Sequence, residues 1–117
     1  MINHDYLIAL TENLADVQKE EYQQFANLTQ AKLNLEEARA LSLSLAYHNG
    51  EIVGKNTDER QRKETVFLSN DDAYQAALQN ENKIDKYYQM AKIERQRIEN
   101  EISLTKAWLY SQRGSDV

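Results

Sequence analysis

Apolar side chains recur at a seven-residue interval from about His4 to His48, with no helix breaker among them. One row reads Leu7, Leu14, Glu21, Leu28, Leu35 and Ser42; the other reads Leu10, Val17, Gln24, Ala31, Ala38 and Leu45. Separations that alternate between three and four residues keep both rows on one helix face, the mark of a helix-helix seam. Asn49-Gly50 tolerates left-handed backbone and stops this helix. Residues 50–56 read as loop, and Asn56 with Glu59 three places on reads as an N-cap and capping-box pair opening a short second helix. Ser69 with Asp72 gives a second such signal and places a break near Ser69-Asn70. From Asp71 to about Gln112 a long helix is expected, with rows Tyr74, Glu81, Tyr88, Arg95, Ile102, Leu109 and Ala77, Ile84, Ala91, Ile98, Thr105, Gln112. A short frayed tail follows over 113–117.

Two helices of ~40 residues are each about 60 Å long, and one short connection forces them antiparallel. The expected fold is therefore all-α: a long antiparallel two-helix coiled-coil hairpin forming a single domain over residues 1–117. Its helices span about 4–48 and 71–112, with a turn and short helix over 49–69. Counting from Leu45 against Tyr74 sets Leu10 opposite Leu109 and brings Glu21 and Gln24 near Arg95 and Ile98. Glu21 or Gln24 is expected to meet Arg95, contributing register more than stability, because a buried ion pair roughly breaks even against desolvation. The alternative is a local roll that puts Tyr22 and Phe25 in the seam. Val66, Phe67 and Leu68 are expected to fold onto Leu41, Leu45, Tyr47, Ile52 and Val53 as a small core at the turn. Tyr22, Ala26, Leu33, Ala40, Leu43, Tyr47, Tyr87, Met90, Leu104, Trp108 and Tyr110 fall off the seam. Dimerisation into a four-helix arrangement would bury this second stripe; the rival is a binding surface for another protein.

Composition narrows the picture. The 117 residues include no Pro, no Cys and 3 Gly, too few chain-turning residues for a barrel or sandwich. Without Cys there is no disulfide framework, Cys-based zinc site or thiol nucleophile. No apolar run approaches the ~18 residues of a membrane span, and no basic stretch precedes an apolar core at the N-terminus, so a soluble cytoplasmic protein with no membrane partner is expected. Net charge is -5, which argues against blanket affinity for nucleic acid. Residues 1–49 hold three basic and seven acidic side chains, and residues 69–117 hold seven and eight. The locally basic stretch is Lys83 to Arg97.

Candidate chemistry is sparse. Gly50 to Thr57 faintly resembles a phosphate-binding P-loop, but its spacing is one residue short, Asn56 stands where a Ser or Thr belongs, and it follows a helix instead of a strand. His4 and His48 lie at opposite ends of the first helix, and no carboxylate precedes a His at the spacing of di-iron bundles. Adjacent acids such as Glu36-Glu37 and Asp71-Asp72 point to different helix sides and read as solvated surface. No enzyme activity, cofactor or metal is expected. Lys83, Lys86, Lys92 and Arg97, interleaved with Tyr87 and Tyr88, are nucleic-acid candidates, although Tyr88 belongs to the seam and an acidic first helix faces them. Lys55, Arg60, Arg62 and Lys63 form a second basic group at the turn. They read as a salt-bridged short helix, with Asp58 to Arg62 and Glu59 to Lys63 in favourable order, or as a recognition tip.

The run from Asn49 to Arg60, with its Gly54-Lys55-Asn56-Thr57-Asp58-Glu59-Arg60 turn, the break near 69–72 and Tyr74 beyond, resembles a pattern in short bacteriophage and prophage proteins. Those proteins share the layout helix, Gly-Lys-Asn-x-x-Glu-Arg turn, helix. The match covers about residues 49–75. It implies a phage or mobile-element origin and a helical hairpin, and no established activity. Gly54, Lys55, Asn56, Glu59 and Arg60 carry over as motif positions without an assigned role. The expected function is a non-catalytic interaction protein that binds another protein, such as a host nuclease or defence complex that it inhibits, or phage recombination machinery. Lys55, Arg60, Arg62, Lys63, Leu33, Leu43 and Trp108 are the partner-binding candidates. The alternatives are a nucleic-acid-binding accessory and a purely structural dimeric coiled coil.

Overall fold

The computed structural model describes residues 2–115, with side chains to 113; expectations for 116–117 lie outside the described residues. Among those described there are three α-helices and no strand: α1 His4–His48, α2 Thr57–Ser69 and α3 Asp72–Ser115. The chain groups into two compact units, one made of Met1–Ala26 and Lys86–Val117, the other of Asn27–Asp85. No helix among the described residues is long and apolar enough to cross a membrane.

In the first unit, the seam rows are the side chains withdrawn from water. Leu10, Ile98 and Ile102 are buried, with Leu7, Leu14 and Val17 packed against them. Ile98 is 0 % exposed. Glu21, a polar exception on α1, pairs with Arg95, a polar exception on α3. Arg95 also reaches Glu99 at 3.0 Å. Both carboxylates hold the guanidinium's pKa up, Glu21 most strongly. The rolled alternative is absent: Tyr22 and Phe25 remain exposed, with the Phe25 ring 5.7 Å from that of Tyr88. Partners on α3 descend from Ile102 through Arg95 to Tyr88 as those on α1 climb from Leu10 through Glu21 to Phe25. The expected facing of Leu10 and Leu109 is corrected. Leu10 packs on Ile98 and Ile102, about two to three turns nearer the start of α3, and Leu109 lines a hollow with His4 and Leu7. The expectation had been counted from Leu45, which faces solvent.

The second unit is built from helix ends. α1 closes in a Schellman arrangement: the Glu51 N–H donates to Ala46 O at 2.9 Å and the Gly50 N–H to Tyr47 O at 3.2 Å. Gly50 has φ 72°, where a side chain would be strained. The Asn56 side chain accepts from the Glu59 N–H at 2.8 Å and caps α2, as its spacing predicted. The cap of α3 is Asp71, not Ser69. Asp71 Oδ2 accepts from the Tyr74 N–H at 2.9 Å, while the Ser69 hydroxyl donates back to Val66 O at 2.7 Å. Asp71 Oδ2 also accepts from the Ser42 hydroxyl at 2.8 Å, which explains the serine that ends a mostly apolar row.

The core here differs from the one expected. Leu43, Ala46, Ile52 and Leu68 are buried, with Phe67 and Tyr74 packed against them. Leu41, Leu45, Val53 and Val66 are exposed. A two-row seam serves a two-helix contact, but the end of α1 must also meet α2 and the loop. The buried arc therefore widens to Leu43 and Ala46, and the small Ala46 admits Ile52 closely. The helix of α3 runs through Arg113 to Ser115, where a tail had been expected.

Candidate functional site

An open groove of about 800 Å³ runs along α2 in the second unit. Val53, Val66 and Phe67 supply its apolar lining, and Glu51, Arg62 and Lys63 are among its charged residues. Periodicity did not reveal it, because Val53 and Val66 looked like core. Their exposure follows from Leu43 and Ala46 taking the inner positions.

The turn motif proves to be local architecture. A Cβ on Gly54 would lie 2.7 Å from Arg60 Cγ and 3.1 Å from Arg60 N, so only glycine lets the loop approach α2 this closely. The Glu59 carboxylate accepts from the Lys55 N–H at 3.0 Å and lies 3.4 Å from Lys63 Nζ. These contacts, the backbone N–H foremost, hold its carboxyl below the usual glutamate range. Lys63 Nζ also donates to Val53 O. A protein carboxylate thus occupies the N–H that a phosphate would seek in this loop. The Tyr47 hydroxyl donates to Glu64 at 2.6 Å, and Arg39 lies 3.6 Å from the same carboxylate. The bond to Glu64 raises the Tyr47 pKa.

The partner-binding candidates separate accordingly. Arg62 and Lys63 line the groove. Lys63 is engaged by the loop, and Arg62 Nε lies 3.4 Å from the Asp58 carbonyl it donates to. Lys55 and Arg60 are exposed at the turn and Leu33 is exposed on α1. Leu43 is a correction: at 8 % exposure it belongs to the core and offers no face to a partner. Trp108 is exposed in the first unit.

The nucleic-acid candidates fall in both units. Lys83 lies in the second unit, and Lys86, Lys92 and Arg97 in the first. Lys92 Nζ sits 5.4 Å from the centre of the Tyr88 ring. Arg97 is bidentate to Glu94 at 3.1 and 2.6 Å and lies 3.6 Å from Glu101. Glu94 raises the Arg97 pKa, and Arg97 lowers that of Glu94. Among the described residues, no cluster of His, Asp or Glu could hold a metal ion. Comparison with protein-family models, curated proteins and solved structures finds no match to this chain.

Proposed function

We propose that this chain is a non-enzymatic interaction protein of phage or mobile-element type that binds another protein through the α2 groove. The observation that carries the reading is the groove itself: exposed Val53 and Val66 beside Phe67, with charged residues at hand. Such a surface suits an apolar anchor from a partner surrounded by polar contacts. The antiparallel coiled-coil hairpin expected from the sequence is part of the proposal. It is supported in the first unit by contacts that run in opposite chain order. A host nuclease, a defence complex or recombination machinery remains the class of target, the first two being inhibited and the last assisted.

The test is affinity capture from bacterial lysate with the wild-type chain and with Val66→Asp. A protein retained in stoichiometric amount by the first and lost by the second supports the reading; equal retention removes it. Nucleic-acid binding is favoured less because Lys92 and Arg97 are engaged within the chain. Salt-dependent retention on DNA that disappears in a Lys83/Lys86/Arg97 triple alanine variant would restore that alternative.

A further inference from the structure

Asn49-Gly50 is the one Asn-Gly pair in the sequence, and stopping α1 does not exhaust its chemistry. A main-chain nitrogen can attack the side-chain amide of an asparagine just before it, and glycine, with no Cβ, obstructs that approach least. Three other asparagines at helix ends have their amides occupied. Asn3 accepts from the Tyr6 N–H at 2.9 Å, Asn56 from the Glu59 N–H at 2.8 Å, and the Asn70 amide donates to Val66 O at 3.0 Å. The exposed Asn49 side chain makes no such bond.

The main chain is what restrains this pair. The Asn49, Gly50 and Glu51 N–H groups donate to Leu45, Tyr47 and Ala46 O at 2.9, 3.2 and 2.9 Å. The last two bonds close across Asn49 and keep its backbone turned with the helix. Ring closure needs the Gly50 nitrogen swung onto the Asn49 side chain, a rotation that takes Asn49 out of helical geometry.

We propose that Asn49 is a deamidation site gated by the close of α1, inert while the Schellman bonds stand and committed once they open. In the open state the Gly50 nitrogen gives its proton to hydroxide and attacks Asn49 Cγ. A C–N bond forms there as the Cγ–Nδ2 bond breaks, and Nδ2 leaves as ammonia with a proton taken from water. Water then adds to either carbonyl of the cyclic imide and opens it to aspartate or isoaspartate; nothing is oxidised or reduced. Both products put a carboxylate at the negative end of α1, and isoaspartate also lengthens the main chain inside the Schellman loop, so each weakens the close that had protected the site. Gly50 and Glu51 line the α2 groove, so the change falls at that surface, yet the chemistry stands whether or not the groove binds a partner.

Helix ends open at lower free energy than whole domains, which makes the gate local. Ile52, 3 % exposed, holds the loop to Leu43 and Ala46 just beyond the pair. Incubation at mildly alkaline pH, followed by peptide mapping in a mass spectrometer, reads the gain of one mass unit at Asn49. The wild-type chain is expected to react there several-fold more slowly without urea than in fully denaturing urea. Its rate is expected to rise already in urea too dilute to reduce the helical circular dichroism. Ile52→Ala is expected to react several-fold faster than wild type without urea and at the same rate in full urea. Equal rates folded and unfolded, no reaction in full urea, a wild-type rate that stays flat until the helices melt, or a helical Ile52→Ala chain no faster than wild type would each overturn the proposal.

Discussion

The two units solve the burial problem in different ways. In the first, side chains at alternating three- and four-residue spacing withdraw from water, and its charged exceptions, Glu21 and Arg95, meet each other. In the second, much of the ordering comes from helix ends: the Schellman close at Gly50, the Asn56 cap, and an Asp71 carboxylate that caps α3 while holding Ser42. Packing along a seam is a repeating device that tolerates a polar pair. Turn chemistry depends on single atoms, and it frees apolar side chains such as Val53 and Val66 for other uses.

The largest expected effect tests the packing side. Ile98→Ala removes the most enclosed large side chain and should lower unfolding free energy by about 2–5 kcal/mol in urea denaturation. A cost below ~1 kcal/mol would mean that the first unit does not rest on this cluster. In the second unit, Leu43→Ala should cost about 2–3 kcal/mol and Leu45→Ala under ~0.5, since one is 8 % and the other 53 % exposed. The reverse ranking would restore the simple heptad. Asp71→Ala should then cost about 1 kcal/mol, with Ser69→Ala within ~0.5. Equal costs would dissolve the distinction between cap and bystander.

The two seam rows, the Glu21–Arg95 pair and the Asn56 cap could all be read from residue spacing, because each is decided by neighbours on the helix or by the facing row. Leu43 could not be distinguished from Leu45 in that way. Periodicity describes a two-helix contact and is blind to α2 arriving from a third direction. The choice of Asp71 over Ser69 was hidden for a similar reason: both fit a capping pattern, and Ser42, 29 residues away, favours one of them. The groove on α2 is a consequence of these two substitutions of role, so it too was out of reach.

The smallest effect is pH-dependent. Glu59 has a depressed pKa, so its contribution is present above the unfolded glutamate value and is lost as pH falls through the lower folded one. Amide exchange at Lys55 should accelerate in that acid window beyond its intrinsic pH dependence, and Glu59→Gln should abolish the step. A step that persists in Glu59→Gln would assign the loop's order to another group.

The central claim is that function resides on the α2 groove. Capture with wild type, Val66→Asp and Tyr22→Asp tests it most directly, since Tyr22 is equally solvent-facing but lies in the first unit. The account predicts one stoichiometric protein retained by wild type and Tyr22→Asp and lost by Val66→Asp. Loss with Tyr22→Asp but not with Val66→Asp, or no specific protein at all, would contradict it.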